Sequence, residues 1–473
     1  MQVKTVDVAV IGAGTAGMLA YRSAVREGRS AVLIEAGAYG TTCALEGCMP
    51  SKLLIAAAER ARMLGSAEVF GVSCDRLRVD GRAVMARVRS ERDRFVGYTR
   101  AQIDAMPAAD LLRGQACFQG PNDLRVGDQS VRANAFVVAT GSRAWVPPQL
   151  TALGDRLLVS ADLFEWPDLP ASFIVVGTGI IALELGQALA QLGVDVTFIG
   201  RGRNFGPLTD PDLAEQARDL FSRKLKVLME ANIVSAAVEN KSVRLQVHTP
   251  QGEQTLMADY VLAATGRRPN LDGLMLQNTA VEFGTSGRPV YDPQTLQCGH
   301  TNIFMAGDVT GNLALQHEAA DEGRIAGRNA ARFPNLVPGS RRSHLSIVFS
   351  DPQMALVGQH HSQLIPGSYV SGCASFENQG RSRIMAVNEG LLKVYADRFS
   401  GTFLGAEMIG PAAEHLGHLL AWSHQQGLTI QQMLDMPYYH PTIEEALRTA
   451  LGSCRRAFLA TLESMPVEPG YLA

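Results

Sequence analysis

An apolar run, VDVAVI at residues 6 to 11, ends abruptly at Gly12. From about residue 14 to 27 apolar positions recur at helical spacing, and a second apolar run, SAVLIEA, follows. This succession predicts a strand, a tight turn, a helix and a second strand. The same pattern returns at residues 173 to 200, FIVVGTGIIALELGQALAQLGVDVTFIG, so the chain carries the unit twice. Short β-rich stretches stand between the units (FVVATGSRAWVPP) and after them (ADYVLAATGRRPN, then IFMAGDVT), as expected where a chain returns to an earlier sheet. From about residue 341 the pattern changes to strands, SIVFSD, GLLKVYAD and FLGAEMIG, and then to helices through 414 to 460, an α+β arrangement in a unit of its own.

A chain of 473 residues is too long for one compact core and predicts two to four domains. Hydrophobic residues make up 46% of it, charged residues 19%, and the formal net charge is -3, which leaves no basic footprint for nucleic acid. The 46 glycines concentrate in turns after apolar runs. The first apolar stretch resembles a secretion signal only in hydropathy: Asp7 and three spaced glycines interrupt it, so it reads as mature structure. No run of about 18 apolar residues supports a membrane span, and a cytoplasmic location is expected. Seven cysteines, an odd number, argue for reduced thiols except where a pair has a redox task.

Gly12, Gly14 and Gly17 form G-x-G-x-x-G directly after a strand and at a helix start. Residues without side chains let the backbone turn tightly, approach a pyrophosphate and pack helix on strand, while the helix N-terminus attracts phosphate charge. Glu35, at the end of the second strand, is placed to accept hydrogen bonds from ribose hydroxyls. The second unit keeps Gly177 and Gly179 but has Ala182 third, and its second strand ends in Gly200, Arg201 and Arg203 with no acid. A carboxylate there would repel a 2′-phosphate, whereas arginines would bind it, so NADP is favoured and NAD is the alternative.

Cys43 and Cys48, in TTCALEGCMPSK, are the only close cysteine pair. No second Cys or His pair stands near them in the chain, so no metal site is expected. Residues five apart in a regular helix stand about 8 to 9 Å apart at Cα, beyond the reach of a disulfide, so pairing requires a distorted first turn. Strained disulfides reduce easily and a helix N-terminus favours the thiolate, which points to redox work.

TTCALEGCMPSK resembles the redox signature of the flavin-dependent disulfide reductases. The resemblance covers essentially the whole chain: both glycine units, ATG at 139 to 141, ATGRRPN at 264 to 270, GDVTG at 307 to 311 and HPTIEEAL at 440 to 447 stand in that family's order. LQHEAADEGRIAGRNAA, FSDPQMALVG and AEHLGHLLAWSHQQGLT look most like the dihydrolipoamide dehydrogenase branch. The resemblance implies an α/β fold with two Rossmann-like dinucleotide-binding domains, for FAD and for NAD(P), and a C-terminal α+β dimerisation domain. The boundaries expected are 1–150 for FAD, 151–270 for NAD(P), 271–340 completing the FAD domain, and 341–473 for the homodimer interface.

It further implies that Cys48 is the flavin-side sulfur and Cys43 the thiol that exchanges with substrate. Lys52 would lie near the flavin N5 and pair with Glu184, and Asp308 would bind the flavin's ribityl or phosphate portion. Gly114, Ala116, Thr140, Gly141, Leu315, Gln316, His317 and Gly266 join the implied cofactor contacts. His440 precedes Pro441, a favoured first helical residue, and has Glu444 and Glu445 within reach. A carboxylate on one ring nitrogen would leave the other to take a proton from a substrate thiol, and the family pattern selects Glu445. In relatives this histidine acts across the dimer. The expected substrate is a small dithiol or disulfide, with a lipoyl group foremost; an NADPH-dependent reductase of another disulfide or small electrophile is the alternative, and a flavin-binding assembly or sensor protein the second. Three departures from the family pattern stand at Thr41 for a glycine, Leu45 for an asparagine and Ile180 for a tyrosine. The chain ends MPVEPGYLA, without the paired-cysteine tail usual in mercuric reductases.

Overall fold

The computed structural model describes residues 3–73 and 77–463. Val3–Ile11 and Ala31–Glu35 are parallel neighbours joined through the helix Thr15–Arg26, as the first apolar pattern predicts. Leu111–Arg113 extends the sheet on one side, and the long strand Gln129–Val138 flanks Val3–Ile11 on the other. Gln129–Val138 is shared along its length. Its first half pairs antiparallel with Asp123–Val126, and its last three residues pair parallel with Ile303–Met305. The IFM stretch thus returns to the first sheet from far along the chain. Behind it the helix Gln316–Arg332 lies backbone to backbone on Thr15–Arg26: a Cβ on Gly323 would stand 2.3 Å from the Ala16 carbonyl oxygen, and one on Gly327 2.2 Å from that of Ala20.

The second unit is a parallel sheet in the order Lys226–Leu228, Asp195–Ile199, Ser172–Val176, Tyr260–Ala263, Leu157–Leu158. The YVLA stretch therefore belongs here, beside the second glycine turn. An antiparallel sheet, Asn232–Glu239, Ser242–Thr249 and Gly252–Ala258, is inserted before that strand. A two-stranded ribbon, Ser142–Ala144 with Arg267–Pro269, ties the crossings between the two units.

The C-terminal unit is a five-stranded antiparallel sheet ordered Leu345–Val348, Gln353–Gly358, Phe403–Gly410, Leu391–Asp397, Tyr369–Ser375. Helices Ala413–Gln425 and Glu445–Glu463 bury their apolar faces on it, with Leu416, Leu420, Leu447 and Leu451 in one core with Val394 and Met408. Among the described residues no helix is long and apolar enough to cross a membrane.

Candidate active site

The two cysteines occupy two helices, not one. Thr42–Leu45 is a single turn capped by Thr41, whose Oγ1 accepts from the Ala44 amide at 3.1 Å; this gives the buried Thr41 a structural task. The chain breaks at Glu46 and Gly47, and Cys48 opens the long helix Cys48–Gly65. That break supplies the distortion demanded by the spacing. It brings the two thiols within hydrogen-bonding reach, and both stand as free thiols. The hydrogen bond from Cys43 stabilises the Cys48 thiolate against the opposing effect of burial, and the Lys52 ammonium adds to it, so the Cys48 pKa is lowered to about 7. Cys43, the donor of that bond and partly buried, is pushed up.

Both sulfurs line a cavity of about 880 Å³ that runs between the two glycine units. Gly14, Gly141, Asp308, Leu315 and Gln316 line it on one side, and Gly177, Gly179, Ile180, Glu184, Arg201 and Gly266 on the other. Gly12 has φ +105° and Gly177 φ +128°; a Cβ on either would stand 2.3 Å from a carbonyl oxygen, of Ala139 and Ala264 respectively. Gly17 is tighter still, 1.8 Å from the Gly12 oxygen, while the wholly buried Ala182 takes the matching place in the second unit. Gly14 and Gly179 differ from these: nothing lies within 4 Å of where their Cβ would be, and both face the cavity at a helix start. Backbone turned tightly on one side and bare on the other, at a helix N-terminus, fits a pyrophosphate in each unit. The residues present therefore fit two dinucleotides.

Lys52 Nζ donates to Glu184 Oε2 at 2.7 Å, joining the cysteine helix to the second unit's first helix, Ile180–Gln191. Glu184 is 5% exposed, and its other oxygen accepts from the Phe349 amide at 3.0 Å. The Phe349 ring lies 4.6 Å from Lys52 Nζ. Phe349 opens the FSDPQMALVG stretch but was not read as a site residue, because it arrives from the C-terminal unit, far along the chain from Lys52 and Glu184. Asp308 accepts from Ser142 Oγ at 2.9 Å, and Arg267 donates to the same hydroxyl at 2.8 Å.

Other expected positions lie off the cavity wall. Glu35 accepts from the amides of Ala13 (2.8 Å) and Gly37 (2.7 Å), so its carboxylate is pinned beside the first glycine turn. Gly114 donates to the Glu35 carbonyl at 3.0 Å, and Ala116 is buried at the start of Ala116–Gly120. Thr140 donates through Oγ1 to the Asn270 carbonyl at 2.6 Å, and His317 stands one residue inside the helix Gln316–Arg332. The two arginines separate: Arg201 lines the cavity, but Arg203 faces Glu230 at 3.5 Å, so one of the pair is engaged by a local acid.

His440 lies on the C-terminal unit, outside the cavity wall, with a side chain 78% exposed. Its Nδ1 is 3.1 Å from both oxygens of Glu445, the partner expected, and the carboxylate is held below its usual range, chiefly by this hydrogen bond. Pro441 does not begin the helix. Residues 441–444 form a turn and the helix starts at Glu445, whose carboxylate also accepts from the Thr442 amide at 3.3 Å. Proline at the first helical position would have placed Glu445 a full turn inside; here Glu445 caps the turn and reaches back to the imidazole.

The chain matches the family model "Pyridine nucleotide-disulphide oxidoreductase" over residues 6–323 and that family's dimerisation domain over residues 345–451. It is 29% identical over 458 residues to a dihydrolipoyl dehydrogenase of Geobacillus stearothermophilus, covering 94% of this chain and 96% of the relative. It is 31% identical over 464 residues to a dihydrolipoyl dehydrogenase of Halobacterium salinarum, covering 94% and 95%. A mercuric reductase of Staphylococcus aureus is 28% identical, covering 94% of this chain and 81% of that protein. Among solved structures, the HOCl-induced flavoprotein disulfide reductase RclA from Escherichia coli, as its Cu(II) complex, superposes with a TM-score of 0.81 at 23% identity, covering 95% of this chain and 99% of that one. LpdA from Mycobacterium tuberculosis also gives 0.81, at 24% identity. At these identities the structural likeness establishes the fold alone. The family match over most of the length, joined to a cysteine pair between two glycine units, makes this chain an FAD-dependent member of the pyridine nucleotide-disulphide oxidoreductase family, close to the dihydrolipoyl dehydrogenases.

Proposed function

We propose that the protein is a homodimer that moves an electron pair between a dithiol/disulfide substrate and NADP, with dihydrolipoamide as the preferred dithiol. The observation that carries this reading is the position of Cys43 and Cys48 on one wall of a cavity that both glycine turns also line. Gly12, Gly14, Gly17, Glu35, Gly141 and Asp308 would hold FAD, with Gly114, Ala116, Thr140 and His317 supporting that side. Gly177, Gly179, Gly266 and Arg201 would hold the nicotinamide nucleotide. Bound FAD supplies the two-electron carrier between sulfur and nicotinamide.

In the oxidised protein Cys43 and Cys48 share a disulfide. A substrate thiolate attacks Cys43 Sγ, forming a mixed disulfide, and Cys48 departs as a thiolate. A sulfur whose pKa is about 7 leaves readily. The second substrate thiol then displaces Cys43, releasing the oxidised substrate and leaving both cysteines reduced. The proton of that second thiol goes to the partner subunit's His440, whose Nδ1 is held by Glu445 so that Nε2 is free to accept. Lys52, fixed by Glu184 and beside Cys48 electrostatically, stabilises the thiolate.

Arg201 supports the second reading, in which NADPH reduces another disulfide or a small electrophile: it puts a guanidinium on the cavity wall where an acid would select NAD. Steady-state assays with NADH and NADPH against lipoamide, glutathione disulfide and quinones decide between these readings. Turnover of lipoamide well above the others supports the first; activity confined to quinones, unaffected by loss of both cysteines, would remove disulfide exchange from the function.

A further inference from the structure

The loop that carries Arg201, GRGRNFGPLTD at residues 200 to 210, belongs to the second nucleotide unit, yet part of what holds it comes from outside that unit. Near its middle it is fastened to the glycine turn: Thr178 Oγ1 donates to the Asn204 carbonyl at 2.9 Å, and the Gly206 amide donates to the Thr178 carbonyl at 2.8 Å. Phe205, wholly buried, enters a core shared with Leu183 of this unit and with Met354 and Ile409 of the C-terminal sheet. At its end the loop meets Glu407, a carboxylate with no exposed surface on the C-terminal strand Phe403–Gly410.

Glu407 is saturated with donors. Its Oε2 accepts from the amides of Thr209 (2.7 Å) and Asp210 (3.1 Å), and its Oε1 from the Thr209 hydroxyl (2.6 Å) and the His361 amide (2.8 Å). Asp210, 1% exposed, then caps the helix Pro211–Lys224 through the Asp212 amide at 3.0 Å, and receives Lys393 Nζ at 2.9 Å and the Tyr395 hydroxyl at 2.9 Å from the same C-terminal sheet. A buried carboxylate is stable only when its lone pairs are met, and here three of the four donors come from the loop end or the first turn beyond it. Before Arg201 the loop is held by its own unit, since the Gly200 amide donates to the Leu228 carbonyl at 2.8 Å and the Gly200 carbonyl accepts from the Ala231 amide at 2.9 Å. After Arg201 the Gly202 carbonyl accepts from the Glu230 amide at 3.3 Å, and Thr178 and then Glu407 fix the rest, so Arg201 is presented from a loop anchored at both ends.

We infer that Glu407 is a positioning residue for the nicotinamide nucleotide: from the dimerisation unit it clamps the loop that presents Arg201 to the phosphate-bearing end of that nucleotide. The inference rests on the reading of Arg201 as a phosphate contact. It makes nucleotide affinity a property of two units, so a change in the C-terminal sheet reaches a site it does not line.

Glu407→Gln tests this without changing volume. An amide presents one acceptor oxygen and one donor group, and both carboxylate oxygens now face N–H donors, so either orientation sets donor against donor. In the FAD-loaded full-length protein, calorimetric titration should show NADP⁺ binding weakened about fivefold or more in E407Q, and NAD⁺ binding changed much less. Flavin content and the reactivity of Cys48 should stay native. Arg201→Gln should weaken NADP⁺ further, and the R201Q/E407Q double variant should be no worse than R201Q alone, because Glu407 acts through that side chain. Thr209→Val, which removes one donor, should give a smaller effect in the same direction and serves if E407Q does not accumulate as folded protein. If R201Q weakens NADP⁺ but E407Q and T209V do not, the clamp is refuted and the phosphate contact stands. If E407Q weakens NADP⁺ and NAD⁺ equally and adds in full to R201Q, Glu407 is a structural residue only. If R201Q changes neither affinity, the phosphate contact fails and this inference fails with it.

Discussion

Removing the Cys43 thiol should raise the pKa of Cys48, and the size of the rise tests how the pair is built. Cys48 is lowered from 9.0 to about 7, first by the hydrogen bond from Cys43 and then by Lys52, against burial and the nearby Glu184 carboxylate. At pH 7 a thiol of pKa about 7 is roughly half ionised, and one of pKa 9 about 1% ionised, so losing the whole shift would slow a thiolate reaction by about fiftyfold. Cys43→Ala removes the largest cause but leaves Lys52, held by Glu184 at 2.7 Å. Cys48 is exposed to the cavity and keeps Lys52, so part of the shift should survive and a fall of about fivefold at pH 7 is expected. The assay is alkylation of the reduced protein by iodoacetamide from pH 5 to 10 without oxygen, with the modified peptide identified by mass spectrometry. The native midpoint should lie near 7 on Cys48 alone, since Cys43 is shifted upward. In Cys43→Ala it should move up by about one unit, and Lys52→Met should move it by less. The sign carries to stability. The folded thiol of Cys48 ionises before the unfolded one, so the reduced protein should gain stability as pH rises from about 7 to 9, and lose that increment as pH falls through 7. A native midpoint near 9, or one that Cys43→Ala leaves in place, would refute the thiol–thiol hydrogen bond as the cause.

Gly12→Ala places a Cβ 2.3 Å from the Ala139 oxygen at φ +105°, so it should yield protein that does not retain FAD, read as loss of the yellow colour; normal flavin content would contradict the turn's role. His440→Gln should leave flavin absorbance unchanged and slow dihydrolipoamide oxidation by a factor on the order of 10² to 10⁴, read in steady state; a native rate would show that the proton goes elsewhere. Arg201→Glu should weaken NADPH far more than NADH through repulsion of the 2′-phosphate, measured as the ratio of kcat/KM values. If the native enzyme already prefers NADH by about tenfold, near 1.4 kcal/mol, Arg201 does not select the nucleotide.

Local chemistry was enough to place what depends on neighbours in the chain. The strand, turn and helix around Gly12 and Gly177 follow from apolar runs closed by residues that alone tolerate positive φ and close backbone approach, and both units form as their patterns predict. Local spacing put Glu444 and Glu445 both within reach of His440 and only the family resemblance selected Glu445; the turn between them was not legible, because the favoured place of proline at a helix start competes with a capping carboxylate one turn later, and the carboxylate prevailed. The three-stranded insertion Asn232–Ala258 was missed because its exposed strands carry a weak alternation. What only the tertiary structure decided involves residues far apart in sequence. Phe349 reaches Lys52 and Glu184 from the third unit, Arg203 is drawn to Glu230 while Arg201 stays on the cavity wall, and Glu407 ends against a loop nearly 200 residues earlier. Such contacts leave no periodic trace. Each is set by which buried polar group finds a partner once the sheets have packed, and a buried carboxylate settles wherever its donors converge, not where its neighbours in sequence would place it.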